Sequence, residues 1–277
     1  MIKILAVICC LGLCLAPANL ALAASAPEAQ HTKGVAPEVV YASVLVGAEK
    51  GDVQSMLLLG SLYEQGIGTP RNFTSAMQAY EKAAFAGSAD GYFRLGICHE
   101  VGMGTVADMA KAIVNYQKAA EMGQAQAQHR MASLYFTGTG LPKDEQQGFA
   151  FLVKAAEAGE PQAANELAYV YLKGLFGQKE DLVKARGWFG KSAENGHLEA
   201  MKNLAVMLKD GIGLKADLAA SLRWYLIAQK GGLRAQDLQK TIDEIKSKLQ
   251  AAQIKKAEEE ADTWFAAFQT KMENKQQ

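Results

Sequence analysis

Cysteine is scarce in this 277-residue chain, and its distribution excludes a disulfide framework. Of the four cysteines, Cys9, Cys10 and Cys14 lie in an apolar N-terminal segment, so only Cys98 belongs to the rest of the chain. A single thiol cannot form an intramolecular disulfide, so the protein must be stabilised by packing. We interpret Cys98 as a small buried hydrophobe on a helix and not as a reactive thiol.

The sequence also lacks the motifs that identify common enzymes. It contains no H-E-x-x-H metal site, no G-x-S-x-G nucleophile turn and no G-x4-G-K-S/T phosphate loop. The histidines have no metal-ligand spacing; they are His31, His99, His129 and His197. We therefore predict that the protein is not an enzyme and that it uses no cofactor and no metal ion.

Neither sign of charge predominates. The chain has 29 Lys and Arg residues and 29 Asp and Glu residues. Removal of an N-terminal segment containing Lys3 would leave 28 basic residues against 29 acidic ones. A surface that binds nucleic acid needs a basic stripe, so this balance predicts no nucleic-acid partner.

Long apolar runs are absent except near the N-terminus. Lys3 precedes an apolar run at residues 4–16, and an A-x-A cleavage signal lies at residues 21–23. The run is shorter than the roughly 20 residues of a transmembrane helix, so a retained anchor is the less favoured alternative. We predict a signal peptide at residues 1–23 and a disordered leader at 24–36. The mature protein is then periplasmic or secreted, with no stable membrane insertion.

What the sequence does contain is glycine at a regular interval. The glycines in question are Gly51, Gly87, Gly123, Gly159, Gly196 and Gly232. The intervals are 36, 36, 36, 37 and 36 residues, and a period in this range is typical of a helical solenoid. We predict a half-unit at 37–51 followed by five repeats, at 52–87, 88–123, 124–159, 160–196 and 197–232.

Each repeat is expected to contain two helices. In the first repeat Ser55, Leu59 and Tyr63 are spaced by four, which places them on one helical face. A glycine suited to ending that first helix recurs at Gly66, Gly102, Gly138, Gly174 and Gly211. A residue suited to capping the second helix recurs at Asn72, Asp108, Asp144, Asp181 and Asp217.

In this register the sequence resembles the Sel-one-like repeat family, which is related to the tetratricopeptide repeat. Its aromatic pair is matched at residues 188–189 and 224–225, and its Lys-Ala-Ala closing motif at 82–84 and 118–120. The resemblance covers residues 51–232. It implies an all-α fold, a right-handed α/α superhelical solenoid of about five helix pairs, and a role in protein–protein interaction.

The period stops after Gly232. We interpret residues 233–277 as a C-terminal capping helical segment, because a solenoid needs a terminal cap with a polar outer face. The alternative is a tail helix that docks a partner through Trp264, Phe265 and Phe268.

A binding groove follows from the resemblance. In tetratricopeptide-type solenoids the first helices line the concave side, and their positions outside the core form the groove. The corresponding candidates are Phe93, Arg94, Ile97, His129, Arg130, Phe136, Tyr169 and Leu172. Aromatic residues and arginine are enriched at binding hot spots. The alternative is that some of these side chains pack between adjacent first helices.

These observations predict a non-enzymatic scaffold or adaptor of the bacterial envelope that binds a peptide or helix of another protein in the concave groove. One alternative, also drawn from the resemblance, is a periplasmic immunity protein that neutralises a secreted toxic effector such as a lipase. A weaker alternative is an unrecognised hydrolase. The sequence specifies neither the partner nor the oligomeric state.

Overall fold

The computed structural model of the protein describes residues 35–275. The predicted signal peptide and nearly all of the predicted leader lie outside these residues. Within them every regular element is an α-helix, and the thirteen helices are α1 Pro37–Glu49, α2 Val53–Gln65, α3 Phe73–Phe85, α4 Ala89–Val101, α5 Met109–Glu121, α6 Ala125–Thr137, α7 Glu145–Glu157, α8 Pro161–Lys173, α9 Leu182–Glu194, α10 Leu198–Asp210, α11 Leu218–Lys230, α12 Leu238–Lys246 and α13 Ala251–Lys275.

Helices α2 to α11 form five pairs, one pair for each repeat of the sequence. The predicted all-α solenoid of about five helix pairs is confirmed. The chain divides into two compact parts, with the boundary between Lys154 and Ala155 inside α7. We call residues 35–154 the N-terminal half and residues 155–275 the C-terminal half.

The first helix of every pair ends at the predicted glycine. Gly66 has a φ of 74°, and its N–H donates to the carbonyl of Leu62 over 2.8 Å. This left-handed conformation is strained for residues with a Cβ, which explains why only glycine occupies the position. The same left-handed geometry recurs at Gly102, Gly138, Gly174 and Gly211.

The second helix of every pair begins at the predicted capping residue. The Asn72 side-chain oxygen accepts a hydrogen bond from the N–H of Ser75 over 3.0 Å. The equivalent caps are Asp108 to Lys111, Asp144 to Gln147, Asp181 to Lys184 and Asp217 to Ala220, at 2.9–3.0 Å. Each cap satisfies an N–H group that the helix cannot pair by itself.

The core of the N-terminal half consists of small residues around a few large rings. Tyr80 and Tyr116 are both 1% exposed and are surrounded by alanines of their own helices. Cys98 is fully buried in the same core, and burial raises the pKa of its thiol to about 12. It is therefore a packed hydrophobe, as its place in the repeat suggests.

The C-terminal half ends in a helix that folds back onto the last repeat. The ring of Trp264 on α13 packs edge-to-face on Trp224 of α11 at 5.7 Å and stacks on Phe268 at 4.9 Å. Phe268 in turn fills the space beside Gly196, where a Cβ would collide with its ring. Ion pairs also tie α13 to α11 and α12; they are Arg223–Glu260, Lys230–Asp262 and Lys246–Glu258.

Candidate binding surface on the first helices

The eight predicted groove residues lie on the first helices α4, α6 and α8, but at different depths. Phe93 and Arg94 are 9% exposed and Phe136 is 4% exposed, so all three are buried. The other five are half-buried; they are Ile97, His129, Arg130, Tyr169 and Leu172. Only these five have side-chain surface that a partner could reach without disturbing the core.

Two of the buried candidates are packing residues. The ring of Phe93 lies 5.8 Å from that of Tyr116 on the neighbouring second helix. The ring of Phe136 lies so close to Gly148 that a Cβ there would be 2.7 Å from it. Their size is therefore matched to residues of the second helices.

Arg94 belongs to a buried polar cluster. Its guanidinium carbon lies 6.0 Å from the centre of the Tyr80 ring, and the Tyr80 hydroxyl donates a hydrogen bond to Glu64 over 2.8 Å. Glu64 is 7% exposed. Burial, followed by the nearby charge of Glu64, raises the pKa of Tyr80 above its ordinary value of 10.0. The phenol therefore stays neutral and remains a donor.

The same cluster recurs one repeat later and closer to the surface. The Tyr116 hydroxyl donates to Glu100 over 2.6 Å, and burial is again the main cause of the raised pKa of Tyr116. Arg130 Nε donates to Glu100 over 3.1 Å, and its Nη2 pairs with the second carboxylate oxygen. The Arg130 side chain is 26% exposed and that of Glu100 is 16% exposed. This bidentate pair holds a guanidinium in a defined position at the surface.

Arg94 and Arg130 are both among the predicted groove residues, whereas the carboxylate and the phenol beside each of them are not. The signal was present, because each member recurs after 36 residues: Glu64 and Glu100, Tyr80 and Tyr116, Arg94 and Arg130. In the third repeat the carboxylate and the phenol are replaced together, by Phe136 and Leu152. Gly148 then takes the place of an alanine, which makes room for the Phe136 ring.

The two candidates of the C-terminal half make contacts with uncharged groups. The Tyr169 ring packs edge-to-face on Phe189 at 5.2 Å, and its hydroxyl accepts a hydrogen bond from Asn203 over 2.9 Å. Leu172 packs against the core of the same half. Both side chains keep some exposed surface, and neither contact involves a charged group.

The described residues hold no group of three or more His, Cys, Asp and Glu side chains that could bind a metal ion. Over residues 35–275, no helix is both long and apolar enough to cross a membrane. His197, one of the four histidines, caps α10 through Nδ1, which accepts from the N–H of Ala200 over 3.1 Å.

Comparison with known proteins agrees with this architecture. The chain is similar to the crystal structure of a Sel1 repeat protein from Oxalobacter formigenes, with 29% identity, a TM-score of 0.61, and coverage of 84% of this chain and 91% of the other. It also shares its fold with an immunity protein, Pa5087 from Pseudomonas aeruginosa, at 20% identity and a TM-score of 0.51, over 80% and 84% of the two chains. No curated protein matches the sequence.

The repeat family itself is matched directly. The sequence model described as the Sel1 repeat matches residues 53–88, 89–124, 125–160, 161–197 and 198–232. Those five matches cover more than half of the chain and coincide with the five helix pairs. Sel1 repeats imply a protein-interaction scaffold. The chain therefore belongs to the Sel1 repeat family.

Proposed function

We propose that this protein is a non-enzymatic adaptor, exported to the bacterial envelope, that binds a peptide or helix of a partner protein on the first helices. In the N-terminal half the contact surface consists of Ile97, His129 and Arg130, which we call the first-helix surface. In the C-terminal half Tyr169 and Leu172 are the corresponding contact residues. The observation that carries the proposal is the position of Arg130.

Arg130 is held in place before any partner binds. A flexible side chain loses conformational entropy when it is immobilised at an interface, and a pre-ordered one loses less. Glu100 already orients the guanidinium through two hydrogen bonds. A guanidinium has five N–H donors, so donors remain for a carbonyl or carboxylate of the partner. Arginine in such a fixed setting is typical of binding hot spots.

Apolar and aromatic surface accompanies this cation. Ile97 lies one helical turn before Glu100 on α4, and His129 adjoins Arg130 on α6. Both side chains are half-buried, so each offers one face to solvent while the rest is held by packing. A cation beside partly exposed apolar side chains suits a peptide or amphipathic helix that carries an acidic residue next to apolar ones.

Affinity capture from a crosslinked envelope fraction tests this proposal. Ile97→Glu and Arg130→Met alter the first-helix surface, whereas Val114→Glu, at a site 67% exposed on the second helix α5, is the matched control. We expect a partner that is captured by the wild type and by Val114→Glu but lost with the other two variants. Circular dichroism must show that all variants are folded. Capture that is unchanged by Ile97→Glu and Arg130→Met would contradict the proposed surface.

Neutralisation of a secreted toxic effector is a narrower form of the same proposal. The fold shared with an immunity protein is compatible with it, although 20% identity speaks for the fold alone. An effector encoded beside this gene would be the partner to test. Protection of cells that express the effector, lost with Arg130→Met, would support this form, and undiminished toxicity beside the wild-type protein would oppose it.

A further inference from the structure

A cleft of about 160 Å³ lies among α1, α2 and α3 at the start of the described chain. Its floor is apolar and is formed by Leu45, Met56, Leu59 and Ala79. Sites for drug-sized molecules have volumes of about 300–1,000 Å³, so this cleft is too small for one. A dry cavity of about 150 Å³ holds a benzene molecule, so the volume is on the scale of one aromatic side chain.

The rim of the cleft is polar and open to solvent. Glu49, Gln78 and Lys82 all line it, and all three are exposed. The Tyr63 ring forms one wall, and its hydroxyl shares a 2.9 Å hydrogen bond with that of Tyr41, which is the main cause of its pKa being raised to about 12. A ligand can therefore enter from solvent and meet a fixed, neutral phenol ring.

In the third repeat an aromatic side chain of the protein itself occupies the equivalent space. Phe151 stands where the first repeat has Ala79, and Tyr135 stands where it has Tyr63. The Phe151 and Tyr135 rings are stacked at 5.7 Å with an angle of 14°. Lys154 Nζ lies 5.4 Å from the centre of the Phe151 ring. Since Lys154 corresponds to Lys82, the first repeat retains the tyrosine and the lysine but lacks the ring between them.

The fourth repeat pairs the corresponding lysine with a larger ring. Trp188 occupies the same column, and Lys191, which corresponds to Lys82, has its Nζ 4.0 Å from the centre of the Trp188 ring. A lysine over an aromatic face is attracted by the negative charge of that face. Lys82 on the rim is therefore complementary to the face of an aromatic ring, which a purely aliphatic group does not provide.

We propose that this cleft takes the tryptophan or phenylalanine side chain of a protein partner, stacked on Tyr63 and beneath Lys82. This proposal depends on the proposed function in one respect, namely that the aromatic side chain belongs to a partner protein. Residues 1–34 contain no Phe, Trp or Tyr, so that segment does not supply the ring. The cleft is a second contact site, separate from the first-helix surface, because its residues come from α1, α2 and α3, whereas the first-helix surface lies on α4 and α6.

Methyl NMR of the full chain tests the site without requiring the partner. The probe is N-acetyl-L-tryptophanamide, the aliphatic control probe is N-acetyl-L-leucinamide, and the signal is the methyl group of Met56. Ala79→Trp places a ring in the cleft, and Asn115→Trp makes the same change in the equivalent column of the second repeat. Lys82→Gln removes the cation at an exposed position, so this variant is expected to remain folded even if Ala79→Trp does not.

We expect a saturable shift of the Met56 signal with the tryptophan probe in the wild type and in Asn115→Trp. The shift should be absent in Ala79→Trp, and Lys82→Gln should raise the Kd several-fold. The proposal is overturned if the wild type shows no saturable shift, if the leucine probe produces the same shift, or if free L-tryptophan binds while the blocked probe does not. A Kd unaffected by both Ala79→Trp and Lys82→Gln would overturn it as well.

The same variants separate this site from the first-helix surface in the capture experiment. If Ala79→Trp abolishes capture and Ile97→Glu does not, the cleft is supported and the first-helix surface is rejected. If only Ile97→Glu abolishes capture, the partner does not use the cleft and this inference is rejected, while the proposed function stands.

Discussion

The two halves of the chain place different side chains at equivalent positions between their helices. In the N-terminal half the space between helices holds a carboxylate, a phenol and a guanidinium, once around the buried Glu64 and once around the half-buried Glu100. In the fourth repeat, within the C-terminal half, the same columns hold Leu172, Phe189 and Asn203. The carboxylate and the phenol are thus replaced together in the third and fourth repeats, whereas the fifth repeat has a lysine in the carboxylate column and keeps the phenol at Tyr225.

This joint replacement has a physical reason. A buried ion pair is roughly equivalent in stability to apolar residues of similar size, but removal of one partner leaves an uncompensated buried group. A half-satisfied polar network is accordingly worse than either complete alternative. Phe136 and Gly148 show the same rule for volume, since the larger ring is accompanied by the loss of a methyl group opposite it.

The first and last helices of the described chain differ as well. Helix α1 has no fully buried residue, and Val39 and Val46 on its outer side are 58% and 47% exposed. Helix α13 instead buries Ala257 and Ala261 and is tied down by Trp264. Helix α13 therefore covers the last repeat, whereas the first repeat has an open cleft beside α1.

Removal of the Glu64 carboxylate should have the largest effect on stability. Glu64→Leu introduces the residue type found at position 172 without changing the Tyr80 hydroxyl or Arg94. We expect a loss of about 3–5 kcal/mol in the free energy of unfolding, because the buried Tyr80 hydroxyl loses its acceptor and the buried Arg94 loses a nearby negative charge. Urea-induced unfolding of the full chain, followed by circular dichroism, measures this loss.

The reverse change is the control. Leu172→Glu should cost less, since that side chain is half-buried and a carboxylate there can remain hydrated. A Glu64→Leu variant that unfolds within about 1 kcal/mol of the wild type would mean that the buried cluster contributes little beyond an apolar replacement.

Addition of one methyl group to the core of the N-terminal half should reduce the free energy of unfolding by a smaller amount. A Cβ at Gly96 would collide with the ring of Tyr116, which is 1% exposed and held by Glu100. Gly96→Ala should therefore destabilise the protein by about 1–3 kcal/mol, despite the better helix propensity of alanine. Urea-induced unfolding again provides the value.

The C-terminal half already has alanine in that column. Ala168→Gly removes a fully buried methyl group there and should cost about 1–2 kcal/mol, through backbone entropy and lost apolar burial. If Gly96→Ala were stabilising, the tight contact between the Gly96 backbone and the Tyr116 ring would be disproved.

Loss of a second-helix cap should affect both halves equally. Asn72→Ala and Asp217→Ala each remove an acceptor for one backbone N–H, at 3.0 Å and 2.9 Å. We expect each to cost about 1 kcal/mol, because capping depends on local geometry and not on the chemistry of the core. Thermal unfolding compares them, and Asp217→Asn, which retains the acceptor, should lose much less. Markedly unequal losses would show that the surrounding core determines the strength of the cap.

The smallest predicted effect is a pH dependence confined to the C-terminal half. Burial, opposed in part by Glu199 and Glu166, lowers the pKa of His197 below its ordinary value of 6.5. Its Nδ1 accepts from Ala200, and its Nε2 contacts Gln162 Oε1 at 2.6 Å, so the neutral ring is the form that caps α10. The stabilisation is complete above the unfolded-state pKa and decreases as the pH falls through the lower folded-state pKa.

Thermal unfolding at about pH 7.5 and pH 5.5 tests this, with His197→Ser as the comparison. The wild type should lose more stability on acidification than the variant, because serine caps a helix without titrating in that range. A serine cap of this kind is present in the N-terminal half, where Ser88 caps α4. Equal acid sensitivity of the wild type and the variant would exclude His197 as the source.

Much of the fold could be predicted from the residues, because each prediction depended on local geometry. Gly66 is left-handed and Asn72 caps a helix for reasons contained within a few neighbouring residues. The candidate site was harder. Phe93 and Ile97 occupy adjacent turns of the same helix, yet one is buried and the other is half-buried.

The depth of these side chains depends on the residues opposite them. Phe93 is buried because the Tyr116 ring of another helix lies beside it, and Arg130 is oriented by Glu100 from 30 residues earlier. Such distances in sequence become contacts only when the repeats stack. The cleft beside Lys82 also depends on stacking, since its walls come from three helices.

By itself the sequence determined the repeat, the helix ends, their caps and the family, because these follow from backbone conformation and a period of 36 residues. Only the tertiary structure decided which first-helix residues reach the surface and where a ring-sized space remains. The reason is that burial, ion pairing and cavities depend on the volumes and charges of side chains that different helices bring together.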